Sequence, residues 1–269
     1  MWIAFLPFLL LIAAFASLWI SSKKKVWAGL FILFLLAAFV CRDLRWSGVC
    51  VVIAWAGLWL WYEKKKPFFL FMLLVILGFG YKYHLLPGFH NVHITEKFYL
   101  AVDSPLIGFF PLALVIPLAR RSKDWTQAIC KGFWLTALGI TFMTILALAS
   151  GAVSFEAKIP SHGAMRYMSN FFFVAIPEEG FFRGFIQSKL LSFFPNNKKG
   201  EMAALLLSSL IFTVAHFGWT DSPAILGFVF LAGLLYGTVY LISKRIESAI
   251  LCHFLLNFIH MTFFSYHAM

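Results

Sequence analysis

Long uninterrupted apolar runs, separated by short polar connections, dominate this chain. Ten can be marked: Trp2–Ile20, Val26–Cys41, Ser47–Trp61, Pro67–Tyr81, Pro105–Leu118, Gly132–Val153, Ala164–Leu190, Met202–Phe217, Ala224–Ile242 and Ala249–Tyr266. The runs are continuous rather than alternating, so they predict helices and not the strands of a membrane barrel. A helix needs about 20 apolar residues to cross a hydrocarbon core of about 30 Å. The second to fifth runs fall short of that. The pattern therefore predicts an all-α, polytopic integral membrane bundle with about eight to ten transmembrane helices. The longest polar connection, Lys82–Asp103, separates four short spans from six later ones, and the expected domains are 1–103 and 104–269. The first run has no basic stretch before it and is long enough to span, so it reads as a retained helix and not a cleaved signal.

Composition agrees with the pattern. Hydrophobic residues make up 62% of the 269 positions, charged residues 12%, and 33 residues are Phe. A soluble domain is about 45–50% apolar and roughly a quarter charged, so a water-soluble fold is excluded. The net charge of +11 would suggest nucleic acid in a soluble protein; here it reads as topology, because cytoplasmic loops collect Lys and Arg. No nucleic-acid partner is expected; the partner environment is the lipid bilayer. With the N-terminus outside, the inner connections hold Lys23–Lys25, Lys64–Lys66, Arg120, Arg121, Lys123, Lys131, Lys189, Lys198, Lys199, Lys244 and Arg245. The outer ones hold only Arg42, Arg45, Lys82, Lys97, Lys158 and Arg166. Cys41, Cys50, Cys130 and Cys252 form no CxxC pair, so neither a disulfide framework nor a zinc cluster is indicated. His84, His90 and His93 read as solvated loop residues, Arg42-Asp43-Leu44-Arg45 as a solvated turn, and Trp125 as an interfacial anchor.

The informative residues are those a bilayer rejects. Each ionisable group inside a span costs about 2.5–3.5 kcal/mol and is a functional candidate. The seventh run carries three in Pro177-Glu178-Glu179-Gly180-Phe181-Phe182-Arg183. Glu179 and Arg183 are i,i+4 with the acid first, the favourable order for a helical ion pair. Glu178 then points about 100° away from that pair, as a desolvated carboxylate suited to general-base work. Pro177 cannot donate to the preceding turn, so the helix is expected to kink just before the acids. Gly180 and Gly184 permit close approach of another helix. His216 ends the eighth run in Phe212-Thr213-Val214-Ala215-His216. His253 and Asn257 share one face of the tenth run, and both side chains can donate hydrogen bonds. Each element by itself also suits a structural role: an ion pair locking helices, a core histidine, an interhelical polar clasp. Together they supply a carboxylate base, a histidine to share its water, and a donor pair on a third helix. Those are the needs of water-driven amide hydrolysis. Ser208, Ser209 and Ser248 lack a GxSxG context, and HExxH is absent.

Glu178-Glu179-x-x-x-Arg183, Phe212-x-x-x-His216 and His253-x-x-x-Asn257, in that order, resemble the CAAX-protease and bacteriocin-processing (CPBP) family of intramembrane proteases, which includes the type II CAAX prenyl endopeptidase. Phe182-Arg183-Gly184 and Gly233-Leu234-Leu235-Tyr236-Gly237 fit as flanks. The resemblance covers roughly Pro105–Met269 and makes 104–269 the expected catalytic core. It implies an endopeptidase acting on a membrane-anchored protein or peptide near the bilayer surface. Glu178 would be the base and His216 would hold or polarise the water. His253 and Asn257 would form the oxyanion hole, and Glu179 and Arg183 would be the supporting pair. Family members have been described both as metal-free glutamate proteases and as metalloproteases. The expectation here is no cofactor; the metal-dependent alternative would use Glu178, His216 and His253 around an ion such as zinc. The expected location is multi-pass in a prokaryotic inner membrane. The rival functions are a proton-coupled transporter, against which the lack of repeated halves counts, and a non-catalytic immunity or scaffold protein. His216 lies deeper in its run than His253 by roughly 14 Å, a mismatch removed if the eighth helix starts near Asn197.

Overall fold

A computed structural model of the chain describes residues 2–96, 98–218, 220 and 222–266; Lys97, one of the outer basic residues, lies outside them. The architecture is all-α, with two small antiparallel β-pairs at helix ends. All ten apolar runs are helical over most of their length. Packing divides the chain into two compact units, Met1–Leu118 and Ala119–Met269. That division falls after the fifth apolar run and not at the polar connection before it.

In the first unit, α1 (Leu6–Ile20) and α2 (Lys24–Val40) pair through a three-residue link. α3 (Trp46–Lys65) ends at Lys66, whose φ of 48° is left-handed, and Pro67 then bars continuation of the helix. α4 (Phe68–Lys82) follows, and the polar connection forms a hairpin of β1 (Val92–Thr95) and β2 (Phe98–Leu100). α5 (Leu106–Leu114) has only nine residues. It rises about 13 Å, less than half of a bilayer's hydrocarbon thickness, so the fifth run is no straight crossing. It packs against α1, α3 and α4 instead. Phe109 explains its place: the Phe31 ring stacks on it at 4.5 Å and Phe15 meets it edge-on at 5.2 Å. Trp55 donates its ring N–H to Leu106 O at 3.1 Å. A buried indole needs such a partner, and this one ties α3 to the start of α5.

The second unit holds α6 (Ser122–Ala149), α10 (Lys198–Val214), α11 (Pro223–Ser243) and α12 (Ile246–Phe263), around a continuous helical run over 163–193. α6, α11 and α12 are long and apolar enough to cross a membrane. α6 begins ten residues before the predicted run. Its polar first turns are satisfied by the α11–α12 link: Arg245 Nη2 donates to Asp124 Oδ1 at 2.5 Å and Gln127 Nε2 to Ser243 O at 3.0 Å. At the other end, β3 (Val153–Phe155) pairs with β4 (Phe264–Tyr266) in the register Ser154↔Ser265. The chain therefore leaves α6 and α12 on one side, while the basic residues Arg121, Lys123, Lys244 and Arg245 collect at the other. α10 does start at Lys198, and Asn197 caps it by accepting from Gly200 N at 2.9 Å. This is the longer eighth helix that the depth mismatch called for.

The run over 163–193 is not uniform. α7 (Gly163–Ser169), α8 (Ile176–Glu179) and α9 (Ser188–Phe193) are joined by π-helical stretches at Asn170–Ala175 and Gly180–Gln187. Ile176 N bonds to Phe171 O and Ser188 N to Arg183 O, each five residues back. Pro177 supplies no N–H, and a widened turn is one way a helix accommodates that gap. π-Bulges are concentrated at functional sites, and here they bracket both acids.

Candidate active site

Glu178 and Glu179 sit in the short α8 between the two π stretches, both buried. Arg183 and Gln187 follow at four-residue spacing and are buried as well. Arg183 Nε lies 3.2 Å from Glu179 Oε2. The N–H does not point along that line, so the contact is an ion pair without hydrogen-bond alignment. The guanidinium is held elsewhere too: Nη2 donates to Gly233 O at 3.0 Å, and the group lies 4.3 Å above the Phe212 ring, within cation–π range. One turn on, Gln187 Nε2 donates to Gly237 O at 3.1 Å. Two carbonyls one turn apart on α11 thus fix two side chains one turn apart on the composite helix. Gly237 makes this possible, because a Cβ there would meet Leu205 Cδ1 at 2.5 Å and Gln187 Oε1 at 2.9 Å.

His253 on α12 is buried, and its Nδ1 lies 2.8 Å from Glu179 Oε1. Glu179 therefore binds a cation through one oxygen and an imidazole through the other. The His253 ring is stacked nearly parallel on Tyr236, with centroids 4.5 Å apart and planes 13° apart. His216 lies just past the end of α10. Its Nδ1 is 2.8 Å from Phe212 O; a carbonyl only accepts, so that nitrogen carries the proton and Nε2 is the distinct, outward nitrogen. Nε2 lies 3.7 Å from Glu178 Oε2. That exceeds a hydrogen bond and matches a separation that one water bridges. His216 and His253 both pack on the Phe212 ring, at 4.5 and 6.1 Å. Asn257 is half-buried one turn beyond His253 on α12.

All six residues singled out from the sequence lie in the second unit, on the composite helix, just past the end of α10, and on α12. The Glu179–Arg183 pair is as the spacing predicts. Nothing in the motif spacing pointed to the bond between His253 and Glu179. Gln187 and Tyr236 were also missed. Gln187 extends the Glu179–Arg183 stripe at the same spacing, and Tyr236 sits between the glycines that admit the composite helix; those were the available signals. Among the described residues, no group of three or more His, Cys, Asp or Glu side chains is placed to hold a metal ion. Of the loop histidines, His84 Nδ1 is bound to Asp103 at 2.8 Å, while His90 and His93 are exposed.

Two buried glutamates and an arginine of the composite helix are thus brought together with His253 of α12 and with His216 just past the end of α10. Residues 160–259 match the family described as type II CAAX prenyl endopeptidase Rce1-like. That segment carries the three motifs that resemble the CAAX-protease family, and three helices of the same unit are long and apolar enough to cross a membrane. The matched stretch contains Glu178, Glu179, Arg183, His216, His253 and Asn257. No curated protein and no solved structure matches the chain.

Proposed function

We propose that the protein is a metal-free glutamate endopeptidase that cleaves a membrane-anchored protein or peptide near the bilayer surface. The observation that carries this reading is the 3.7 Å gap between Glu178 Oε2 and His216 Nε2, two groups held from separate helices. A water placed there donates one proton to Glu178 and is oriented by His216. As Glu178 takes the proton, the water oxygen bonds to the scissile carbonyl carbon and the carbonyl oxygen becomes an oxyanion. Asn257 Nδ2–H donates to that oxygen. His253 joins it through Nε2–H when the ring carries a second proton, because Nδ1–H is directed at Glu179. Glu178 then passes its proton to the leaving amine, the C–N bond breaks, and a new carboxyl and a new amine remain. Arg183 and Glu179 act through His253, holding its ring in place, so they are positioning residues.

In the metal-free reading Glu178 serves as the base, while Glu179 orients the His253 ring through Nδ1. A prokaryotic inner membrane remains the proposed location. The test compares the membrane proteins of cells producing wild type or Glu178→Gln. An uncut precursor should accumulate with Glu178→Gln, and its cut form should appear with wild type in the presence of a strong chelator. Loss of cutting on chelation, restored by zinc, would replace this mechanism with the metal-dependent one.

A further inference from the structure

The connection between α2 and α3 lies far from any residue used above in sequence and borders a cavity of about 710 Å³, within the size range of ligand pockets. Its lining is two-sided in chemistry. Phe39 and Val40 come from the end of α2 and Trp46 from the start of α3, while Arg42 and Arg45 come from the link itself. α2 packs along α1, whereas α3 packs on α4 and α5, so the two helices diverge from their link and leave a space between them. A link between two apolar helices lies at the bilayer surface. Trp46, 72% exposed and in edge contact with Phe39 at 4.8 Å, is an aromatic of the kind that marks that level.

The link is rigid. Asp43 N and Leu44 N both bond to Ala38 O, Arg45 N bonds to Gly88 O, and Leu44 bridges to Phe89. Arg42 is fixed at φ 66°, a region that non-glycine residues seldom occupy. Gly88, at φ 90°, lies so near α3 that a Cβ would be 2.2 Å from Gly48 N. The acid of the link, Asp43, is buried and its Oδ2 makes no hydrogen bond. Both arginines are exposed instead. The result is a preset pair of guanidinium groups at the membrane surface above an apolar space.

We propose that this cavity binds an acidic phospholipid, with its phosphate at Arg42 and Arg45 and an acyl chain against Phe39, Val40 and Trp46. Guanidinium forks match phosphate oxygens bidentately, and basic pockets between membrane helices suit anionic headgroups. A free phosphate would use the arginines and leave the apolar lining uncovered.

The full chain in nanodiscs of mixed phosphatidylcholine and phosphatidylglycerol tests this. Native mass spectrometry should find phosphatidylglycerol retained in preference to phosphatidylcholine. Retention should fall about thirtyfold in Arg42→Gln/Arg45→Gln, since each arginine near an anionic surface contributes roughly fivefold. Brominated phosphatidylglycerol should also quench Trp46 fluorescence, read as the difference from Trp46→Phe, more than brominated phosphatidylcholine does. This second readout needs no arginine variant, so it stands if that variant misfolds. Inorganic phosphate should not displace the lipid. Equal retention of the two lipids with equal quenching, or displacement by inorganic phosphate alone, would overturn the proposal.

Discussion

Both units bury acidic side chains at helix ends, but only the second also buries them inside a helical run. In Met1–Leu118 the buried acids Asp43 and Asp103 lie on connections between helices, and the helices themselves meet through aromatic rings such as Phe31, Phe109, Trp55 and Trp59. Asp103 is held at the helix ends, by His84 Nδ1 at 2.8 Å and by Ser104 N at 2.7 Å. In Ala119–Met269 the buried Asp124 and Glu247 also lie at helix starts, but Glu178 and Glu179 lie within a helical run, with an arginine, two histidines and two backbone carbonyls of α11 arranged around them. The first unit keeps charge at its edges, as a bundle built for packing does. The second carries charge in its centre, at the insertion cost that such residues incur, and that cost has a counterpart in chemistry.

The largest expected effect comes from removing the central cation. Arg183→Ala leaves Glu179 without its ion pair, and breaking a buried pair costs about 3–5 kcal/mol. Thermal melting in detergent should fall sharply and cleavage with it. Phe109→Ala in the first unit should cost a similar amount, about 3–5 kcal/mol, through a core cavity, while turnover per folded molecule is kept. An Arg183→Ala protein with unchanged melting would remove the contrast between the units.

Asn257→Ala should lower single-turnover cleavage by about 100- to 1000-fold, the cost of one oxyanion donor, with melting little changed. If Asn257 is only an interhelical clasp, worth at most about 1–2 kcal/mol, melting falls and turnover per folded molecule does not. Gln187→Leu is smaller again. It removes the bond to Gly237 O, and one hydrogen bond to a buried carbonyl is worth about 1–3 kcal/mol when that acceptor is left unsatisfied. The expected readout is a lower melting temperature.

A pH dependence is expected in the first unit. Burial pushes the Asp43 carboxyl up to about 6 from its ordinary 3.8. The folded state then holds this proton more tightly than the unfolded chain does. Its contribution is complete below the unfolded value, declines as pH rises toward 6, and is gone above it. Asp43→Asn should flatten that part of the profile of melting temperature against pH. An unchanged slope between those two values would show that Asp43 is not the group responsible.

Most of the helices were legible, because each apolar run had to be satisfied within itself in lipid. Two were misjudged for physical reasons. The run Pro105–Leu118 is apolar enough to suggest a span, yet α5 stops at Leu114, with Pro111 inside it and Pro117 beyond. The polar start of α6 read as a loop, although Asp124 and Gln127 point to partners at the α11–α12 link. The small β-pairs, which depend on pairing across a connection or between chain-distant ends, left no alternating pattern to find. The site was legible as three motifs, because ionisable residues in apolar runs stand out. The bond from His253 to Glu179, the stack on Tyr236 and the carbonyl anchors of Arg183 and Gln187 depend on how α11 and α12 pack on the composite helix. Spacing along one helix says nothing about that packing.

The central claim is that Glu178, facing His216, activates the water that cleaves the substrate. Single-turnover cleavage of an identified substrate by Glu178→Gln in nanodiscs tests it most directly, with melting temperature and substrate binding measured on the same preparation. The substitution keeps the shape and removes the base. The rate should fall by about 10²- to 10⁴-fold, the usual contribution of a general base, while melting and binding stay near wild type. Cleavage at a near wild-type rate by folded Glu178→Gln would contradict the account.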